Sequence, residues 1–257
     1  MTPLIRFSFP LSPRMQGFLR VRDALACLQQ ANLDDQAYVW LQACADLRSS
    51  LFAEQGRRPG LTDVVGLLSR MQEHLDALAK EHPRYCEEIL RSCATLEKHE
   101  KNLRAGIEPA MNLLSSDALI HAWLNGLKKH DWLGHQSHMP HAVATLWSNR
   151  ERRDALHDAL KGLDAAVMSL HDMLQDFVGW EQRVATAGGD HIKLEREKEF
   201  GLLIVGLTRE QVLAGLVPDM SGNRMAIRLR FQRWEPGKAA MAVDDDVPYQ
   251  AMMVPVV

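Results

Sequence analysis

Residues 217–231 read VPDMSGNRMAIRLRF, and the end of that run is a strict alternation. Arg224, Ala226, Arg228 and Arg230 point one way, and Met225, Ile227, Leu229 and Phe231 point the other. That is the period of a half-buried antiparallel strand. Its open side carries guanidinium groups in line. Arginine is planar, permanently charged and presents a fork of donors, so a rigid row of it suits carboxylate recognition. Nothing on this face is chemically reactive. It is built either to hold an acidic partner or to be a solvated sheet face. Turn chemistry precedes it, in Pro218-Asp219 and Ser221-Gly222-Asn223.

A second group of side chains suits metal chemistry. His130, His135, His138 and His141 fall within KKHDWLGHQSHMPH, with Asp131 beside them. Imidazoles spaced three apart could ligate zinc. Structural zinc sites usually include cysteine, and an HExxH site needs a glutamate between the histidines; the segment has neither. Gly134 and Pro140 put it in a loop. The choice is between polar loop histidines and a zinc-dependent enzyme centred on His135, His138 and His141. No GxGxxG, P-loop or GxSxG signature occurs, so no catalytic residue and no cofactor is expected. Gly188-Gly189-Asp190-His191 reads as a linker. Glu195, Glu197 and Glu199 alternate with Arg196 and Lys198, downstream of Lys193, as a solvated mixed-charge segment.

Composition narrows the function classes. The chain has 257 residues, 46% hydrophobic and 25% charged, which is close to an ordinary globule. The formal net charge of -3 provides no overall basic field for nucleic acid, so any basic site is local. No apolar run is long enough to span a membrane. The N-terminal MTPLIRFSFPLSPRM lacks the pattern of a secretory signal. Cys27, Cys44, Cys86 and Cys93 form no CxxC pair and read as reduced core residues of a cytoplasmic protein.

The elements that must position these groups follow from periodicity. Residues 4–9 alternate, with Ile5, Phe7 and Phe9 on one face, as a short strand stopped by Pro10. Ser12-Pro13 opens a helix carrying Met15, Phe18, Leu25 and Leu28. Asp34 or Asp35 is expected to cap a second helix with Tyr38, Leu41, Ala45 and Phe52 for the core. Thr62 is expected to cap a third, broken by His82-Pro83. Tyr85, Ile89, Cys93, Leu96 and Leu103 mark a fourth, with Gly106 and Pro109 expected to end it. Ser116-Asp117 starts a fifth. Arg150, Arg152 and Arg153 open the longest expected element, 149–185, as cations that are solvated by default or else face an acidic partner. Its Leu156, Leu160, Leu163, Val167, Leu170, Leu174 and Phe177 recur at steps of four and three. That heptad seam belongs to a helical bundle or to a contact with a second copy. The apolar run 200–207 reads as a central strand. After an acidic turn at Asp244-Asp245-Asp246, a last strand near 249–254 is pushed to a sheet edge by Pro248 and Pro255. The fold class is therefore α+β: a helical domain over 10–186, a β-rich domain over 187–257, and an N-terminal strand, 1–9, that joins the C-terminal sheet.

The strand at each end, the helices between, and the segment LLIVGLTREQVLAGLVPDMSGNRMAIRLRF resemble the ZapD family of FtsZ-associated cell-division proteins. The matching positions are 202–207, Pro218, Ser221-Gly222-Asn223, and Arg224, Ile227 and Arg228 with Phe231 nearby. Pro10, Leu11, Leu19 and Arg20 match the family's N-terminal segment. The chain departs from the pattern at Arg22, where the family has glutamate, at 134–140, which retains little beyond Met139-Pro140, and at Ala118, which stands at a basic position. It is identified as a divergent member. The resemblance implies a symmetric homodimer without catalytic activity, in the cytoplasm at the division septum. It would bind the acidic C-terminal tail of FtsZ and bundle FtsZ filaments. Arg20, Arg224 and Arg228 are the carried-over contacts, with Arg230 beside them on the strand and Arg57 or Arg58 a looser transfer. An adaptor for a different acidic partner is the alternative within the same class.

Overall fold

The computed structural model of the chain describes residues 3–34, 36–52, 59–129, 150–176, 178–194, 200–222 and 226–255. These residues form two units, one of 1–16 with 172–257 and one of 17–171. The expected α+β class holds, and the N-terminal strand does join the C-terminal strands in one sheet.

The first unit is built on two antiparallel sheets. One has the order β1 (Ile5–Pro10), β4 (Phe200–Leu207), β8 (Val247–Pro255), β2 (Glu181–Ala185). The other has the order β3 (Gly189–Lys193), β6 (Ala226–Arg233), β5 (Leu216–Gly222), with the two-residue β7 (Met241–Ala242) on β6. β4 is central, as its unbroken apolar run requires, and every residue after Phe200 is buried. Leu203, Val205, Leu207, Ile227, Leu229, Phe231, Val247, Tyr249 and Ala251 form one core from both sheets.

Several strand expectations fail for identifiable reasons. β8 is an inner strand, not an edge: Pro248 and Pro255 stand at its two ends, where a missing N–H removes little of the ladder. Residues 217–222 are not the turn itself but strand β5, paired from Leu216↔Arg233 to Gly222↔Ile227. Pro218 is tolerated there because β5 is an edge. The helix expected over 149–185 stops at Asp176, and 181–185 is strand β2, because pairing with β8 overrides its helical propensity. Gly188-Gly189 is a tight hairpin rather than a linker. Ala187 and Gly188 have φ of 47° and 68°, and Gly189 N–H reaches Thr186 O at 3.0 Å, the geometry of a type I′ turn. A Cβ on Gly188 would also lie 2.0 Å from Val243 O.

That hairpin passes the chain from one sheet to the other and is held by a polar cluster. Tyr249 Oη donates to Asp190 Oδ2 at 2.6 Å, Arg183 Nε donates to the same oxygen at 2.9 Å, and Arg183 Nη1 donates to Glu181 at 3.0 Å. Burial pushes the Asp190 carboxyl up, but its hydrogen bonds with Arg183 and Tyr249 outweigh that and hold it below the usual aspartate value. Burial, and then Asp190, raise the Tyr249 phenol.

The second unit holds α1 from Gly17 onward (the whole helix is Pro13–Leu33), α2 (Ala37–Leu51), α3 (Pro59–Glu81), α4 (Cys86–Ser116), α5 (Ala118–Lys129) and α6 (Arg150–Asp176) up to His171. Ser12 caps α1 as expected, its Oγ accepting from Met15 N–H at 3.2 Å. Asp117 caps α5, its Oδ1 accepting from Leu119 and Ile120 N–H at 2.9 and 3.0 Å. Asp34 does not cap α2; it closes α1, its N–H reaching Gln30 O and its carboxylate accepting from Gln30 Nε2. Asp35 lies outside the described residues. Tyr38 is exposed rather than core. α3 begins at Pro59, three residues before Thr62, because proline is pre-organised for a first helical position.

α4 runs through Gly106 and Pro109 to Ser116, making it the longest element among the described residues. The carbonyl orphaned by Pro109 is that of Ala105; both residues are exposed, while Leu103, Ile107, Ala110 and Met111 face inward. Gly106 is a packing glycine, not a stop. A Cβ there would lie 3.1 Å from Ala159 O, and one on Gly162 would lie 2.6 Å from Asn102 O, so α4 and α6 cross nearly backbone to backbone. The seam residues Leu156, Leu160, Leu163, Val167 and Leu170 are all buried within the single chain, and Phe177 lies outside the described residues. Of the cysteines, all free, Cys44 and Cys93 are buried as expected, whereas Cys27 is exposed and Cys86 half-buried.

Two outcomes follow. Gly162→Ala, which on an exposed helix would stabilise by about 1 kcal/mol, here destabilises by about 1–3 kcal/mol in urea unfolding, because the methyl meets the α4 backbone. Asp190→Asn lowers stability by about 1–3 kcal/mol at pH 7 by removing the charged carboxylate that Arg183 Nε and Tyr249 Oη share, leaving Arg183 only its exposed pair with Glu181. Because the folded carboxyl lies below its unfolded value, its contribution is present above about pH 4 and is lost as pH falls further. The loss of stability on acidification is therefore shallower in the variant than in the parent.

Candidate functional site

The period-two pattern of β6 survives in the structure. Ile227, Leu229 and Phe231 are 0–1% exposed, and Arg228 and Arg230 are exposed between them. Phe231 also packs edge-on against Tyr249 of the other sheet, with ring centroids 5.5 Å apart. This anchoring leaves the arginines no route inward. β6 is flanked on both sides, so they project from the middle of a sheet at a spacing of about 7 Å.

Register decides what stands beside them. His191 of β3 and Ser221 of β5 lie opposite Arg228; Gly189 and Asp219 lie opposite Arg230; Lys193 lies opposite Ala226. Directly opposed residues share a face about 5 Å apart. Arg228, Arg230 and Lys193 therefore bring three basic side chains to one surface, with His191 among them and Asp219 as the acid. Asp219 accepts from Gln232 Nε2 at 3.3 Å. Among the described residues neither Arg228 nor Arg230 is in an ion pair. His191 was hidden in the sequence by the linker reading of 188–191, and Lys193 by its place just upstream of a segment read as solvated mixed charge. The signal available was the alternation of His191, Ile192 and Lys193 after a glycine pair.

The remaining candidates are distributed elsewhere. Arg20 is exposed on α1 in the helical unit, in a shallow groove with Asp23, Cys27, Asp46 and Ser50. Arg224, Arg57 and Arg58 lie outside the described residues, as do His130, His135, His138 and His141, and Glu195, Glu197 and Glu199. Arg152, expected to be solvated, is committed within the fold: its Nη1 pairs with Asp117 Oδ2 while the other oxygen of that carboxylate caps α5. Among the described residues no three His, Cys, Asp or Glu side chains are grouped to hold a metal ion. Among them, too, no helix is long and apolar enough to cross a membrane.

No protein-family model matches the chain. Three curated proteins named cell division protein ZapD are similar along its whole length. Those of Cupriavidus necator and Cupriavidus taiwanensis are each 22% identical over 254 residues, and that of Cupriavidus pinatubonensis is 21% identical over the same span. In each case the match covers 96% of this chain and 97% of the relative. Similarity at 21–22% identity across 96% of the chain supports a divergent ZapD family member.

Proposed function

We propose that the protein acts in cell division by binding the acidic C-terminal tail of FtsZ and, as a homodimer, crosslinking FtsZ filaments, without catalysing a reaction. The observation that carries this reading is the exposed face of β6, where Arg228 and Arg230 project from an inner strand with Lys193 beside them. Like charges held this close repel one another, and no carboxylate of the described chain pairs with the two guanidiniums. An acidic peptide relieves both conditions. Arg20 and Arg224, with Arg57 or Arg58, are the further contacts. The place of action is the cytoplasm at the division septum.

Crosslinking requires two tail sites per particle. One arginine face supplies one, and two-fold association doubles it without new sequence. The Leu156-to-Leu170 seam is already buried inside the chain, so the contact between copies uses another surface.

Reversal of Arg228 and Arg230 to glutamate leaves the melting temperature unchanged, since both side chains are exposed. Leu229→Ala, one residue away, costs about 2–5 kcal/mol. The reversed protein loses affinity for an FtsZ tail peptide, and parental affinity falls steeply with salt because exposed charges are screened over about 8 Å at physiological ionic strength. Co-pelleting with polymerised FtsZ decides the partner: the protein sediments with full-length filaments and not with filaments lacking the tail. Equal sedimentation with both would overturn the reading. Light scattering gives about twice the chain mass, and a monomer that still bundles filaments would refute the dimer.

A further inference from the structure

We propose that the arginine face selects an acidic peptide that also carries one aromatic or large aliphatic residue, and that Trp234 is the seat for it. This rests on the reading that the face binds an acidic peptide, and it concerns what else that peptide must contain.

Trp234 directly follows β6 and is 58% exposed. Its backbone continues the ladder, its N–H reaching Gly215 O at 2.8 Å. The even-numbered positions of the strand share one face, so Trp234 follows Arg228, Arg230 and Gln232 along the same line. The side chain confirms that direction. Its Nε1–H donates to Gln232 Oε1 at 3.2 Å, and Gln232 Nε2 donates in turn to Asp219 Oδ2 at 3.3 Å. The indole is therefore oriented by a polar relay on the arginine face, and its one donor is already occupied. What remains for a partner is the apolar ring.

The neighbours of Gln232 continue this change of character. By register they are Val217 of β5 and Ala242 of β7. The face thus runs from Lys193, His191, Arg228 and Arg230 at one end to Val217, Ala242 and Trp234 at the other. From Arg228 to Trp234 the strand rises about 20 Å, the length of a short extended peptide. A large aromatic ring left open to water forgoes burial that it makes readily elsewhere, and tryptophan is the residue type most enriched where partners bind. Carboxylates over the arginines and an apolar side chain over Trp234 would use the whole strip. Single-stranded nucleic acid also combines anionic groups with rings that stack. Asp219 on the same face and the net charge of -3 weigh against it.

Fluorescence polarisation with the full chain tests this. The probes are labelled synthetic peptides of alternating Asp and Ser, with Phe at neither end, at the first position or at the last, and a labelled oligothymidylate. We expect one Phe peptide to bind the parent about tenfold more tightly than the Phe-free peptide. Trp234→Ala, with unchanged melting, should bind all three peptides alike at the weak Phe-free affinity, while Trp234→Phe keeps the preference. Equal affinity of the parent for all three peptides overturns the aromatic seat and leaves the basic face standing. No binding of any peptide by the parent overturns the acidic-tail reading as well. Tighter binding of oligothymidylate than of any peptide assigns the face to nucleic acid and refutes both.

Discussion

The alternation of β6 is the constraint on which the rest of the β unit depends. Ile227, Leu229 and Phe231 are almost wholly withdrawn from water, and Phe231 reaches across to Tyr249 of the opposite sheet. A slip of one residue would bury two guanidiniums and expose three large apolar groups, so register is specified as strongly as burial can specify it. The outward face is the other half of the same pattern. Packing on one side holds the arginines rigidly on the other, and rigidity is what lets a row of charges recognise carboxylates without first being ordered.

Two local devices hold this arrangement together. The β2–β3 hairpin turns at Ala187-Gly188 and carries the chain from one sheet into the next. The parity that puts His191 outward puts Asp190 inward, where Arg183 and Tyr249 receive it. A basic neighbour for Arg228 and a polar clamp between sheets thus come from consecutive residues. In the helical unit, Gly106 and Gly162 let α4 and α6 approach until main chains nearly touch. That crossing helps bury the leucine seam within one chain, which removes the most obvious surface for self-association.

Cations in the fold divide into those with internal work and those without. Arg152 neutralises the carboxylate that caps α5, and Arg183 completes the clamp between sheets. Arg228, Arg230 and Lys193 have no such role among the described residues. Next to them the surface becomes apolar, ending at an exposed indole whose N–H is already engaged. The proposed binding strip rests on this gradient along one strand.

The sequence by itself determined the features that repeat with a fixed period. The outward arginines and inward Ile227, Leu229 and Phe231 were legible because a strand reverses direction at every residue. The all-apolar run 200–207 marked a strand covered on both faces, and Ser12 and Asp117 marked helix starts, since each acts on backbone within a turn of itself. What the sequence could not display were the outcomes of long-range pairing. Residues 181–185 look helical until β8 pairs with them, and Gly188-Gly189 looks like a linker until the strands it joins are known. Gly106 and Pro109 look like a helix end until the burial of α4 carries the helix past them. Lys193 and His191 stand beside the arginines only because β3 lies beside β6, some 35 residues away in the chain, and that neighbour is chosen by the fit of two sheets over a shared core.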